Sequence, residues 1–257
     1  MTRNRRDIVF NVSTQMMRWI YLSPHLDDAI LSCGGLIYEQ ARQGVRVEIW
    51  TILAGDPPPG PLSEFTLQTH ALWGLPGGDE AVSMRRSEDR EAARIIGAKV
   101  VHFDIPDCIY RRSPQGEYLY SETVFTSPHP ADRELPGQIV NALKPKLGMG
   151  DQLVCPLALG SHVDHALVRQ AAESLQMPLY YYADVPYILN TPLVIEQTMS
   201  SLQGRLFSVK ETGMAAWLKA VAAYQSQVAS LFKGMGTLDE AIRSYWASES
   251  GLRLWRF

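Results

Sequence analysis

The sequence predicts an α/β fold: a Rossmann-like three-layer sandwich around a mainly parallel sheet. Two observations predict it. Short apolar runs alternate with segments of helical spacing along most of the chain. Two unusual polar clusters each follow an apolar run directly, and in parallel sheets ligands collect at the carboxyl ends of strands.

The elements follow in order. "RWIYLS" (18–23) reads as a buried strand. "DDAILSCGGLIYEQARQG" (27–44) has helical spacing and closes on Gly44, a helix-stop signal. "VRVEIWTILAG" (45–55) is β-branched and reads as a second strand. Residues 56–80, dense in Pro and Gly, predict a long loop holding one helical turn. A helix over 83–97, with a serine start and a glycine stop, leads into a strand over 98–105. A polar and aromatic insertion occupies 106–130, and 131–148 is mostly helix. A strand (152–159), a helix (161–175) and a strand (178–188) come next. A long helix near 211–233 and a shorter one at 237–248 precede the aromatic tail "LRLWRF".

With 257 residues and 46% hydrophobic composition, the chain predicts one domain over 1–257 that buries its own core. The core is expected over 18–232, with a terminal helix and tail at 233–257. The net charge is −3 and the charges are spread, so no basic stripe argues for nucleic acid. Cys33, Cys108 and Cys155 have no metal-like spacing and read as reduced core thiols of a cytoplasmic protein. Residues 1–22 have no unbroken apolar run and no small-residue cleavage pattern, and read as a short leader into the first strand. No stretch approaches the ~20 apolar residues of a membrane span.

The first cluster is "PHLDD", with His25, Asp27 and Asp28. One aspartate explains a helix cap; two adjacent carboxylates repel and call for a positive partner. The second is "SHVDH", with His162, Asp164 and His165. Ser161 as N-cap with Asp164 in a capping-box position would account for part of it, and would leave two of the chain's six histidines unexplained. Together, His25, Asp28 and His165 supply two imidazoles and one carboxylate, a set that holds a divalent metal with positions left open. Zinc suits it, as does Fe(II) or another divalent ion. Such a metal lowers the pKa of water to about 7. Asp27, beside the metal, then serves as proton acceptor. His162 as imidazolium stabilises an oxyanion or protonates a leaving amine, and Asp164 orients a histidine.

These motifs resemble the PIG-L/LmbE-like family of metal-dependent N-deacetylases, which includes the deacetylases of mycothiol and bacillithiol synthesis and the enzyme that de-N-acetylates GlcNAc-phosphatidylinositol. "PHLDD" resembles the family's Pro-His-x-Asp-Asp and "HVDH" its His-x-Asp-His. "MRRSEDREAARIIGAKVVHFDIPD" resembles the family's Arg-x-x-Glu helix, strand and aspartate loop, matching Arg85, Glu88 and Asp107. "YYYADVPY" resembles a later strand, and "LKAVAAYQSQVASL" a C-terminal Lys…Tyr-x-Ser-Gln helix. The resemblance implies His25, Asp28 and His165 as metal ligands, and Asp27 as general base. It implies His162 as stabiliser or acid with Asp164 as its supporting partner, and Arg85 as a substrate contact. It implies an N-acetylated amino sugar or glycoconjugate as substrate. Ala29 stands where the family commonly has Glu, which points to a different local packing or substrate contact.

The remaining candidates are weaker. Tyr110, Arg111, Arg112, Tyr118 and Tyr120, in the insertion after Asp107, read either as a lid that recognises a sugar or as a surface loop with its own aromatic cluster. His102 reads as a packed strand histidine, and His70 and His129 as solvated loop residues. Gly34–Gly35 suggests close packing of the first helix on the sheet, and no G-x-G-x-x-G follows strand one. Two other functions stay open: an amidase for another secondary amide such as a thiol conjugate, and a non-catalytic sugar- or nucleotide-binding module. Homo-oligomerisation is also left open.

Overall fold

The computed structural model describes residues 17–75, 77–190, 202–247 and 251–256. The leader expected over 1–22 lies mostly outside them. Among the described residues no helix is long and apolar enough to cross a membrane.

A seven-stranded sheet forms the middle layer, in the order β3-β2-β1-β4-β5-β7-β6. Five strands are parallel: β1 (Arg18–Ser23), β2 (Arg46–Thr51), β3 (Lys99–His102), β4 (Gln152–Pro156) and β5 (Leu179–Tyr182). Their side chains alternate between two cores. Ile20, Leu22 and Trp50 face one side, with α4 (Leu135–Leu143) and α5 (Val163–Ser174). Tyr21, Val47 and Ile49 face the other, with α1 (Asp28–Arg42), α3 (Asp79–Ile96) and α7 (Glu211–Val221). The expected three-layer α/β sandwich is what forms. Gly44 and Gly97 follow α1 and α3 at φ +80° and +76°, the left-handed backbone that only glycine adopts cheaply.

Several boundaries differ from expectation. Residues 56–80 hold a full helix, α2 (Glu64–Leu72), whose N-terminus Ser63 caps by accepting the Thr66 N–H at 3.0 Å. "EFTLQTHAL" carries no apolar stripe, so periodicity does not reveal it. The helix expected over 211–233 is two: α7 stops at Val221 and α8 runs Gln225–Leu231. The break serves two anchors on α3: the Tyr224 hydroxyl donates to Asp89 at 2.7 Å, and the Ser226 N–H and hydroxyl donate to Glu88 at 2.9 and 2.6 Å. The tail is no appendage. After the short helices α6 (Tyr187–Asn190) and α9 (Leu238–Ala247), β7 (Gly251–Arg256) inserts between β5 and β6 (Gln203–Ser208), antiparallel to both.

The glycine pair also packs differently from expectation. Gly34 and Gly35 face the buried Trp217 of α7 rather than a strand of the sheet. The indole N–H donates to the Ile30 carbonyl at 2.7 Å, which fixes the ring. A methyl at Gly34 would overlap that ring. Helix propensity alone would make Gly34→Ala stabilising by about 1 kcal/mol, whereas overpacking costs about 1–3 kcal/mol. Because Trp217 is locked, we expect Gly34→Ala to lower stability in denaturant titration. An unchanged or raised midpoint would show that the ring yields.

Candidate metal and catalytic site

β1 and β4 are neighbours, and the strand order runs outward from them in opposite directions. This is the switch point at which open parallel sheets form a crevice. The segments leaving the two strands carry the two motifs, so His25 meets Asp164 across 139 positions of sequence.

Asp28 sits between the two imidazoles. Its Oδ2 is 3.2 Å from His25 Nδ1 and its Oδ1 is 3.3 Å from His165 Nε2. The far nitrogen of each ring meets another buried carboxylate: His25 Nε2 lies 3.0 Å from Asp164 Oδ2, and His165 Nδ1 lies 2.6 Å from Asp184 Oδ1. All five side chains are buried. With protons alone, satisfying these contacts requires both rings to be imidazolium, and burial opposes that. The carboxylates prevail. Against burial, Asp107, Asp164 and Asp28 hold His25 well above the usual imidazole range, and Asp28 and Asp184 push His165 up to about 10. A divalent cation among the inner donors, whose atoms lie within 4.8 Å of one another, would supply that positive charge instead. Each ring would then be neutral, donating its far N–H to Asp164 or Asp184, an arrangement that orients metal-ligating histidines. The donor set therefore fits a metal.

The two adjacent aspartates divide sharply. Burial would raise Asp28, but His165 and His25 hold it well below the usual carboxylate range. Asp27 caps nothing with its side chain. Its Oδ2 lies 3.4 Å from the Arg85 guanidinium, and burial, then Asp28, push its pKa up to about 7 against Arg85 and His25.

His162, not Ser161, is the N-cap of α5. Left-handed backbone at Ala158, Gly160 and Ser161 turns the chain after β4 and brings His162 to the site. Its Nδ1 accepts the Asp164 N–H at 3.2 Å, so its proton sits on Nε2. Burial, then His25 and His165, push its pKa well below the usual range. The expected imidazolium is thus corrected to a neutral ring. The supporting role expected of Asp164 shifts as well: only its backbone serves His162, and its carboxylate serves His25.

His25, Asp27, Asp28, His162 and His165 floor a cavity of about 210 Å³. Arg85 and Asp107 line it, together with Phe65, Trp73, Phe125, Tyr187 and Gln227. Arg85 lies over the Trp73 ring at 4.5 Å, and its Nε has no partner. Asp107 accepts the Ile109 N–H at 3.1 Å and lies 3.7 Å from His25 Nε2.

Tyr110 and Arg111 are not brought to the cavity, which corrects their expected substrate contacts. The Tyr110 hydroxyl pairs with His70 Nε2 at 2.7 Å, and both are buried, so His70 is no solvated loop residue. Arg111 is buried between Asp132 and Asp164. Arg112 and Tyr118 bond to the Pro61 carbonyl at 2.5 and 2.7 Å, and Tyr120 donates to Asp132 at 2.7 Å. The insertion is a packed scaffold that presents Val124 and Phe125 to the cavity. His102 packs as expected, 2.9 Å from Asp89, and His129 is exposed. Ala29 is fully buried, its N–H held by Ser23 Oγ at 3.0 Å.

Sequence reasoning missed Asp184, Phe65, Trp73, Phe125 and Gln227. Asp184 carried the same signal as the two motifs, an aspartate just after a buried strand. The others come from segments without a motif of their own, or, for Gln227, from one quoted without a role.

A Rossmann-like sheet bearing this donor set at its switch point, with a carboxylate poised beside it, suits metal-assisted hydrolysis. The family described as GlcNAc-PI de-N-acetylase, PIG-L, matches residues 20–175, and the chain belongs to it. A 2'-N-acetylparomamine deacetylase from Niallia circulans is 28% identical over 262 aligned positions, covering 93% of each protein. A deacetylase of the teicoplanin biosynthesis pathway is 28% identical with a TM-score of 0.80, over 93% of this chain and 97% of the other. The zinc-inhibited form of a teicoplanin deacetylase is 26% identical with a TM-score of 0.81 and the same coverage.

The ionisation of His162 is directly measurable. We expect imidazole ¹⁵N shifts to report one neutral tautomer, protonated at Nε2, from pH 8 down past the usual imidazole pKa of about 6.5. Titration above that value would contradict the assignment.

Proposed function

We propose that this chain is a zinc-dependent deacetylase that hydrolyses the acetamide of an N-acetylated amino sugar, releasing acetate and free amine. The observation that carries the reading is the floor of the cavity. Two imidazoles and Asp28 converge there, beside a buried carboxylate whose pKa is about 7 and a neutral imidazole N–H donor. Relatives that deacetylate N-acetylparomamine or serve teicoplanin biosynthesis support an amino sugar as substrate. A relative with a zinc-inhibited form supports zinc engaging such a site, so activity is best assayed at one equivalent and in excess. Cys33, Cys108 and Cys155 are buried free thiols, which supports a cytoplasmic setting.

His25 Nδ1, Asp28 and His165 Nε2 would hold the zinc, which supplies Lewis acidity toward the amide carbonyl and makes water a better nucleophile near neutral pH. Asp27 takes a proton from the attacking water. As the carbonyl oxygen gains charge, His162 donates its Nε2–H to it. When the C–N bond breaks, Asp27 returns its proton to the leaving amine, so one carboxylate serves both steps. Arg85, Asp107 and Gln227 face the sugar, while Phe65, Trp73 and Phe125 wall off water.

The direct test is acetate release from N-acetylparomamine and N-acetylglucosaminides by enzyme carrying one equivalent of zinc. Stoichiometric acetate and amine are expected. No turnover on any acetamido sugar by the zinc-bound protein would contradict the reading. Asp27→Asn should keep its zinc and lose about 10²–10⁴-fold in turnover. Normal turnover in that variant would remove Asp27 from the mechanism.

The pH dependence follows from the same group. Ionised Asp27 is the form that accepts a proton, so kcat/KM rises with pH. Its apparent pKa lies at or below about 7, because a bound cation favours the carboxylate. Activity falling from pH 5 to 7 would contradict this.

A further inference from the structure

We infer that Arg111 is a positioning residue of the metal site: acting through Asp164, it sets which nitrogen of His25 faces the cation. The inference rests on the metal-site reading above.

Asp164 is fully buried and accepts three bonds. Oδ1 takes the Arg111 guanidinium at 2.6 Å. Oδ2 takes the Cys108 N–H at 2.9 Å and meets His25 Nε2 at 3.0 Å. On its other side Arg111 is pinned by Asp132, which accepts its Nε–H at 3.0 Å, and by the Pro106 carbonyl, which accepts from Nη1 at 3.2 Å. Asp132 is held in turn by the Tyr120 hydroxyl at 2.7 Å. A rigid line therefore runs from the insertion, through one guanidinium, to the back of a proposed metal ligand.

The geometry has a chemical consequence. His25 can offer Nδ1 to a cation only while Nε2 keeps its proton, and the Asp164 carboxylate is the acceptor that holds that proton in place. The carboxylate stays aimed because the planar Arg111 fork reaches Asp164 and Asp132 at once. Lysine, a point charge on a flexible stem, keeps the charge and loses the fork. Arg112 offers a built-in comparison: it ties the same insertion to the Pro59 and Pro61 carbonyls without touching Asp164.

The test is zinc affinity of the full chain, by competition with a chromophoric chelator, beside thermal unfolding of the zinc-free protein. Arg111→Met is expected to bind zinc about 10- to 100-fold more weakly, the usual effect of losing a partner behind a ligand. Arg111→Lys and Asp132→Asn should fall between it and the parent, and Arg112→Met should match the parent. If Arg111→Met does not fold, the two milder variants decide. Parental zinc affinity in folded Arg111→Lys and Asp132→Asn, with only the unfolding temperature lowered, would overturn the inference. A parent that binds no zinc would overturn the metal-site reading and the inference with it.

Discussion

The site depends on one arrangement: the Asp28 carboxylate lying between His25 Nδ1 and His165 Nε2, with each ring backed by a second buried carboxylate. Buried negative charge on both sides of two imidazoles is costly unless positive charge sits among them. Protons on both rings meet the demand at the expense of burying two imidazolium ions. A divalent cation meets it with neutral rings. The fold brings these groups together by setting β1 beside β4, with α1 and α5 starting where those strands end.

The same electrostatics separates two aspartates adjacent in sequence. Asp28 faces both rings and stays ionised, whereas Asp27 faces Arg85 at longer range and is pushed toward neutral pH by burial and by Asp28. One is suited to hold a cation and the other to exchange a proton. His162 belongs to the same balance: enclosed with two rings that tend to carry charge, it stays neutral and serves as a donor. The α3 helix supports the arrangement from outside. Arg85 reaches Asp27, while Glu88 and Asp89 secure Ser226 and Tyr224 and so set Gln227 against the cavity.

The parallel half of the sheet was legible in the sequence because buried strands and crossover helices have distinct apolar periods. The convergence of His25, Asp28, His162 and His165 on one cavity was legible because they lie in two compact motifs at strand ends. What was not legible came from long-range pairing. The tail "LRLWRF" reads as a terminus, yet its residues 252–256 belong to a strand once β5 and β6 are there to pair with it. Arg111 and Tyr110 sit in an exposed-looking polar insertion, and only the fold brings Asp164, Asp132 and His70 to meet them. The helix at Glu64–Leu72 was hidden because it buries Thr66 and His70 rather than an apolar stripe.

The measurement that bears most directly on the central claim is the metal content of the purified chain, by elemental analysis, beside His165→Ala. The account predicts close to one equivalent of divalent metal in the parent and its loss in the variant, with the fold intact by circular dichroism. A parent that holds no metal after reloading with zinc, or a variant that keeps a full equivalent, would contradict it.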